Sequence, residues 1–233
     1  MIVNERLLQG PPDPNLPTVA SDLEGTISAG QTWHGIRDYL LAHGRAEAYR
    51  RFQRQQLWPL LKYRLGLTRD LSAFKEKWLL DLLRLLAGLT ESQMEEVGEF
   101  VVAHELWPQR RPMVVDELQA HQRAGRRVLV VSGIMEPFLA ALLRQLGGLE
   151  GIGTPLRFEQ AVFTGEVVGG LNVGSSKVRQ LAAFAGDGRI FAAYGDTKRD
   201  IPMLAMSTRP VAVCPDDELR QEALARGWRI LTE

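Results

Sequence analysis

Asp22 and Glu24 stand one residue apart in the stretch LPTVASDLEGTIS, followed by Gly25 and Thr26. Thr18, Val19 and Ala20 read as a short buried strand, and Gly25 lets the chain turn. Side chains at i and i+2 of a strand point the same way, so both carboxylates face one pocket if extended geometry persists into the turn. Two acids in one pocket suit either a cation or a division of labour between acid and base. Three further stretches carry reactive side chains: Ser132-Gly133 after RVLVV, Lys177 in GSSKVRQL, and Asp196 with Asp200 in YGDTKRDIPML. Together they offer a carboxylate nucleophile candidate, a hydroxyl beside backbone N–H groups, a cation and more carboxylates. Transfer of a phosphoryl group needs these parts. Its charge spreads over three oxygens, which a Lys, a helix N-terminus and Mg²⁺ can neutralise. Mg²⁺ takes oxygen ligands from one or two carboxylates, and an Asp can carry the phosphoryl group covalently.

Alternating strands and helices must position these residues. The pattern predicts strands over 127–131, 190–194, 211–213 and 228–231. Helices are expected over 113–123, 136–146, 176–185, 200–205 and 218–226. Such alternation means a parallel sheet covered on both faces, and open sheets of this kind bind ligands at the strands' carboxyl ends. Residues 155–170 hold two short β runs with a turn expected at Thr164-Gly165, a hairpin or flap. Between the first strand and the rest lies a block with helical periodicity. Trp33, Ile36, Leu40 and Leu41 share one face, and His43-Gly44 is the stop. A helix over 46–62 should kink or break at Pro59. Others are expected over 71–86 and 91–104, the last with Thr90 as N-cap. The block reads as an insertion roofing the pocket. The expected organisation is a loose N-terminal arm over 1–16, an α/β core over 17–29 and 111–233, and a helical cap over 30–110. The prolines at 11, 12, 14 and 17 support the arm.

DLEGT at 22–26, VSGIMEPF at 131–138, the Lys177 context and GDTKRD at 195–200 resemble, in order, the four motifs of the haloacid dehalogenase-like phosphatase superfamily. The helical block after the first motif resembles the cap of its phosphoserine phosphatase-like branch. The likeness covers about residues 17–215. It implies a doubly wound, Rossmann-like parallel sheet with an inserted all-helical cap. It also implies a Mg²⁺-dependent phosphatase acting on a small phosphate ester. Asp22 would attack phosphorus, and Glu24 would protonate the leaving oxygen and then deprotonate water. The Glu24 carbonyl and the carboxylates of Asp22 and Asp196 would hold Mg²⁺. Ser132 and the Gly133 N–H would bind phosphate, Lys177 would neutralise it, Asp200 would orient Lys177 or a metal-bound water, and Thr26 would steady the loop. Three positions depart from the pattern. Glu24 stands where most of the superfamily has Asp, although a homoserine phosphotransferase and phosphoserine phosphatase subgroup also carries DLEG. Gln31 stands where phosphoserine phosphatases have a cap Glu, and their cap Arg has no clear counterpart. Arg199 replaces their Asn and could contact an anion. Two other readings stay open: phosphotransfer to an alcohol, and phosphate-ligand binding with little turnover.

Bulk properties narrow the field. Lys plus Arg and Asp plus Glu both number 28 in 233 residues, which argues against a nucleic-acid coat protein. The lone Cys214 cannot form an internal disulfide, so a reducing cytoplasm is expected. The first residues lack a basic region before an apolar run, and no apolar stretch reaches membrane-spanning length. GLNVGSSK lacks the Gly-Lys-Ser/Thr of a P-loop, and the four His show no paired-ligand spacing. In the cap, Arg37, Arg45, Arg50, Arg51, Arg54, Lys62 and Arg64 outnumber Asp38 and Glu47. A solvated basic face is the ordinary reading, recognition of an anionic leaving group the sharper one. Trp33, Trp58, Trp78 and Trp107 read mainly as cap core, with a substrate pocket or a homodimer face as the alternatives.

Overall fold

The computed structural model describes residues 5–65 and 71–232. Strand β1 (Thr18–Ser21) is buried throughout. Helices α1 (Thr32–Ala42), α2 (Ala46–Arg64), α3 (Leu71–Leu83) and α4 (Glu91–Val101) follow it. Next come α5 (Pro112–Arg123), β2 (Arg127–Met135), α6 (Glu136–Gln145) and β3 (Glu150–Thr154). An antiparallel pair, β4 (Leu156–Glu159) and β5 (Val162–Val167), precedes α7 (Ser175–Leu181). The chain continues through β6 (Ile190–Gly195), α8 (Ile201–Ala205), β7 (Ser207–Val213), α9 (Asp217–Arg226) and β8 (Arg229–Leu231).

The main sheet has the order β3-β2-β1-β6-β7-β8, every neighbouring pair parallel. Two-residue alternation divides it cleanly. Val19, Val128, Val130 and Val211 face one apolar cluster with α5 and α6, through Val114, Leu118, Phe138 and Leu142. Ala20, Leu129, Val131 and Ala212 face the other, with α7, α8 and α9, through Leu181, Met203, Leu204 and Leu219. A parallel sheet buried on both faces follows, as its unbroken apolar strands require. The chain winds outward from β1 in one direction and from β6 in the other, so the switch point lies between them.

The inserted helices are not a separate oily body. Ile36, Leu40, Leu82, Leu86, Met94, Val97 and Val101 belong to the same cluster as the α5–α6 face. Each fully buried side chain of this kind contributes roughly 1.5–3 kcal/mol. Thr90 and Gln93 form a capping box at the start of α4, satisfying N–H groups that a helix end otherwise leaves open. Gly98 lets α4 lie against α6, because a Cβ there would stand 2.7 Å from the Pro137 carbonyl oxygen.

Several expectations need correction. Residues 5–16 are not a loose arm. Arg127 donates to the carbonyls of Gly10 and Pro11, each at 2.6 Å, and Gln9 N donates to Glu150 at 2.9 Å. Buried Arg127 needs many acceptors, and the arm's carbonyls provide two of them. Residues 1–4 of the expected arm lie outside the described residues. Pro59 does not break α2, which continues to Arg64. Pro59 has no N–H to give the Gln55 carbonyl, which lies on an exposed turn where water can bond it. The helix expected over 91–104 passes into a wider, π-type turn at Val102–Leu106. β2 does not stop at Val131 but runs on through Ser132 and Gly133. The hairpin turns at Gln160 and Ala161, φ 50° and 62°, and not at Thr164-Gly165. β3 has no apolar run to announce it, because Glu150–Thr154 is rich in glycine. Its Gly151 is shaped by packing: a Cβ there would meet Leu139 and Leu143 of α6 at 2.9 Å. Among the described residues no helix is long and apolar enough to cross a membrane.

Candidate active site

The first motif continues the sheet before it turns. Asp22 N donates to the Tyr194 carbonyl at 2.9 Å, which pins Asp22 to the carboxyl edge between β1 and β6. The chain then folds tightly, Thr26 N and Ile27 N both donating to the Leu23 carbonyl. Gly25 has φ 88°, and a Cβ on it would collide with the Asp196 carboxylate. Both facts require glycine. Arg111 Nε braces the turn from outside by donating to the Gly25 carbonyl at 3.1 Å.

Around this turn the scattered polar residues converge. Asp22, Glu24, Gln31, Ser132, Gly133, Lys177, Asp196, Arg199 and Asp200 line one cavity of about 510 Å³. Thr26 stands just behind it, its hydroxyl donating to Asp196 Oδ1 at 3.3 Å. Lys177 Nζ lies 2.5 Å from Asp22 Oδ1 and 2.7 Å from Asp200 Oδ1. Asp200 is held in turn by the N–H and hydroxyl of Thr197, at 3.3 and 3.1 Å. Gly195 permits this approach, since a Cβ there would come 2.5 Å from Asp200 Cβ. Glu24 accepts the N–H of Thr32 at the start of α1, whose own N-cap, Gln31, makes no capping bond through its side chain. A carboxylate is favoured at that positive helix end. Ser132 is buried in β2, and Gly133 fits beneath Val173, which a Cβ would meet at 2.9 Å.

Burial dominates the electrostatics. It raises Asp22 to about 6, against the opposing pull of Lys177. It raises Asp196 to about 8, helped by repulsion from Asp22 and Asp200. Burial also lifts Glu24, with the bonds from Thr32 opposing the shift. Lys177 is an ammonium: burial alone would lower its pKa, but Asp22 and Asp200 outweigh that and raise it. Carboxylate oxygens of Asp22, Asp196 and Asp200 lie within 4.8 Å of one another. These are hard oxygen donors, crowded enough to repel and only partly neutralised by one lysine, so they fit a Mg²⁺ ion.

Sequence reasoning missed four contributors. Lys75, Glu76 and Leu79 of α3 line the cavity, and Arg199 Nη2 lies 3.3 Å from Glu76 Oε1. The helical face of α3 is legible, but not which flank overlooks the pocket. Asn172 is buried and joins Ile152 O and Thr154 Oγ1, while Thr154 Oγ1 donates to the Gly133 carbonyl. That brace depends on the unanticipated β3.

A sheet switching at β1/β6, an Asp-X-Glu-Gly-Thr turn and a facing Lys–Asp cluster define a known class. The haloacid dehalogenase-like hydrolase family model matches residues 19–205, and the chain belongs to that family. A histidinol-phosphatase of Neisseria meningitidis serogroup C is 30% identical over 220 residues, covering 90% of this chain and 96% of that one. In fold, a Bordetella pertussis protein of unknown function superposes with TM-score 0.76 at 24% identity, over 93% of this chain and 99% of that one. A phosphoserine phosphatase in its apo form does so with TM-score 0.62 at 18% identity, over 94% of each.

Proposed function

We propose that this HAD-family phosphatase, a hydrolase of phosphoric monoesters, works through an aspartyl-phosphate on Asp22. An Asp22 carboxylate oxygen attacks phosphorus and the bond from phosphorus to the ester oxygen breaks. Glu24, raised by burial and so able to hold a proton, gives it to the departing alkoxide. Glu24 as carboxylate then takes a proton from water, which attacks the phosphorus of the aspartyl-phosphate. Inorganic phosphate leaves and Asp22 is restored. Lys177 and the Ser132–Gly133 segment hold the charged oxygens throughout, and Asp200 keeps Lys177 aimed. Asp22, Asp196 and the Glu24 carbonyl would hold Mg²⁺, with Asp200 adjoining; the ion would supply positive charge to the phosphoryl oxygens.

The observation that carries this reading is Lys177 bridging Asp22 and Asp200 beside Asp196 at the sheet's switch point. Asp22→Asn should lower kcat on an aryl phosphate by roughly 10³-fold or more with Mg²⁺ present. Full activity in that variant would end the proposal. For substrate, we favour the phosphate ester of an amino alcohol. The histidinol-phosphatase likeness runs nearly end to end, and Glu76 puts a carboxylate at the cap side of the cavity. Histidinol phosphate should therefore be turned over with a kcat/KM at least about tenfold above that of a simple sugar phosphate. Because the DLEG turn also resembles phosphotransferases, phosphate release is to be measured with and without added alcohols. Acceptor-dependent loss of phosphate from Asp22 would favour transfer.

A further inference from the structure

A larger cavity, about 730 Å³, lies between α5, strands β6 and β7, and the α9–β8 turn. It shares no lining residue with the cavity around Asp22. Arginines 126, 189, 209, 226 and 229 border it, against a single lining acid, Glu117. Arg229 is neutralised by a two-pronged bond to Glu117, at 2.9 and 2.5 Å, and Arg226 by Glu222 at 2.5 Å. Arg126, Arg189 and Arg209 make no ion pair among the described residues. Two of these, Arg126 and Arg209, instead lie over the ring of Phe191, their guanidinium carbons 4.2 and 4.6 Å from its centroid. Gathering unpaired guanidinium groups in one concavity costs repulsion that a bound anion would relieve.

The floor beneath them is already ordered. Arg126 Nη1 donates to His121 Nδ1 at 3.1 Å, which leaves the ring proton on Nε2. His121 Nε2 donates to the Tyr194 hydroxyl at 2.9 Å, and that hydroxyl donates to Glu117 at 2.8 Å. Burial, then the charge of Arg126, lowers the His121 pKa, so the ring is the neutral link this chain needs. The chain runs from Arg126 to Arg229 without a gap and fixes both guanidinium groups before any ligand arrives. Guanidinium forks match phosphate oxygens two at a time. The volume falls within the range of small-molecule sites, roughly 300–1,000 Å³.

We propose that this cavity is a second anion site, taking a small multivalent phosphate of the di- or triphosphate kind, apart from the ester at Asp22. Inorganic tripolyphosphate is the probe, titrated calorimetrically into the full chain in excess chelator. The double variant Arg189→Ala/Arg209→Ala should bind it at least about tenfold more weakly while keeping kcat/KM on an aryl phosphate within about twofold. In the unsubstituted protein, tripolyphosphate should shield arginines 126, 189 and 209 from phenylglyoxal, read by mass spectrometry, a result that needs no variant to fold. The proposal is overturned if the unsubstituted chain does not bind, if the double variant binds equally well, or if those arginines are modified equally with and without the anion.

Discussion

Asp22 is a buried acid and Asp196 a half-buried one, and the fold does not favour the ionised form of either unaided. Their folded values, about 6 and about 8, lie above the ordinary 3.8. Between those limits these two acids, joined by Glu24, hold more protons folded than unfolded and outweigh the single histidine, His121, that burial shifts the opposite way, so stability falls as pH rises. In chelator, the melting temperature should therefore be highest near the acid end and decline from about pH 4 to about pH 8. Lys177, raised from an already high value, adds nothing to the slope in that window. Divalent binding requires the deprotonated carboxylates and would remove the repulsion between them. Added Mg²⁺ should accordingly raise the melting temperature more at pH 8 than at pH 5, flattening the decline. Equal Mg²⁺ shifts at both ends would mean that the ion does not bind at these acids.

Among the elements, α4 and α6 show how a small residue sets a large contact. Glycine inside a helix ordinarily costs up to about 1 kcal/mol relative to alanine. Gly98→Ala should therefore stabilise α4 if only propensity mattered. Instead its Cβ would press on the Pro137 carbonyl at 2.7 Å, in a region with little room to yield. The expected result is a loss of about 1–3 kcal/mol, read from the urea midpoint at unchanged m-value. A gain in stability would show that α4 can move off α6 without penalty. Gly25 makes the same argument for the turn after Asp22, with a positive φ added to the steric demand.

Across the whole molecule, the cavity is walled by two parts of the chain that meet at its mouth. Asp22, Lys177, Asp196 and Asp200 come from the sheet edge, while Gln31, Lys75, Glu76 and Leu79 come from the inserted helices. Arg199 and Glu76 join the two sides, both about one-third exposed. Such a pair contributes only about 0.2–1 kcal/mol to stability, so its interest is in binding. Glu76→Gln should shift the melting temperature by no more than a few degrees. For an amino-alcohol phosphate its KM should rise roughly tenfold with kcat little changed, whereas aryl phosphate kinetics should move less than about twofold. A matching loss in kcat for both esters would place Glu76 in the chemistry and not in recognition.

Much of this arrangement is written locally. The order and spacing of Asp22, Glu24, Ser132, Lys177, Asp196 and Asp200 mark them as a set, and each falls where a strand or turn at the sheet edge can carry it. The periodicities of α1, α3 and α4, and the apolar runs of β1, β2 and β6, are properties of short windows and are legible as such. What was hidden depends on partners far along the chain. Arg127 holds the arm because it is buried beside residues 9–11; Glu150–Thr154 becomes a strand because α6 fits only over glycine; the hairpin turns at Gln160-Ala161 without any residue that asks for it. Which flank of α3 overlooks the pocket, and the gathering of arginines 126, 189 and 209 into one concavity, are likewise tertiary outcomes. Sequence determined which side chains could react and the local geometry that presents them, since those follow from neighbours within a few residues. Only the packing of helices and strands decided what stands opposite them, because a helix's rotation and a loop's path are set by contacts between segments that no local pattern records.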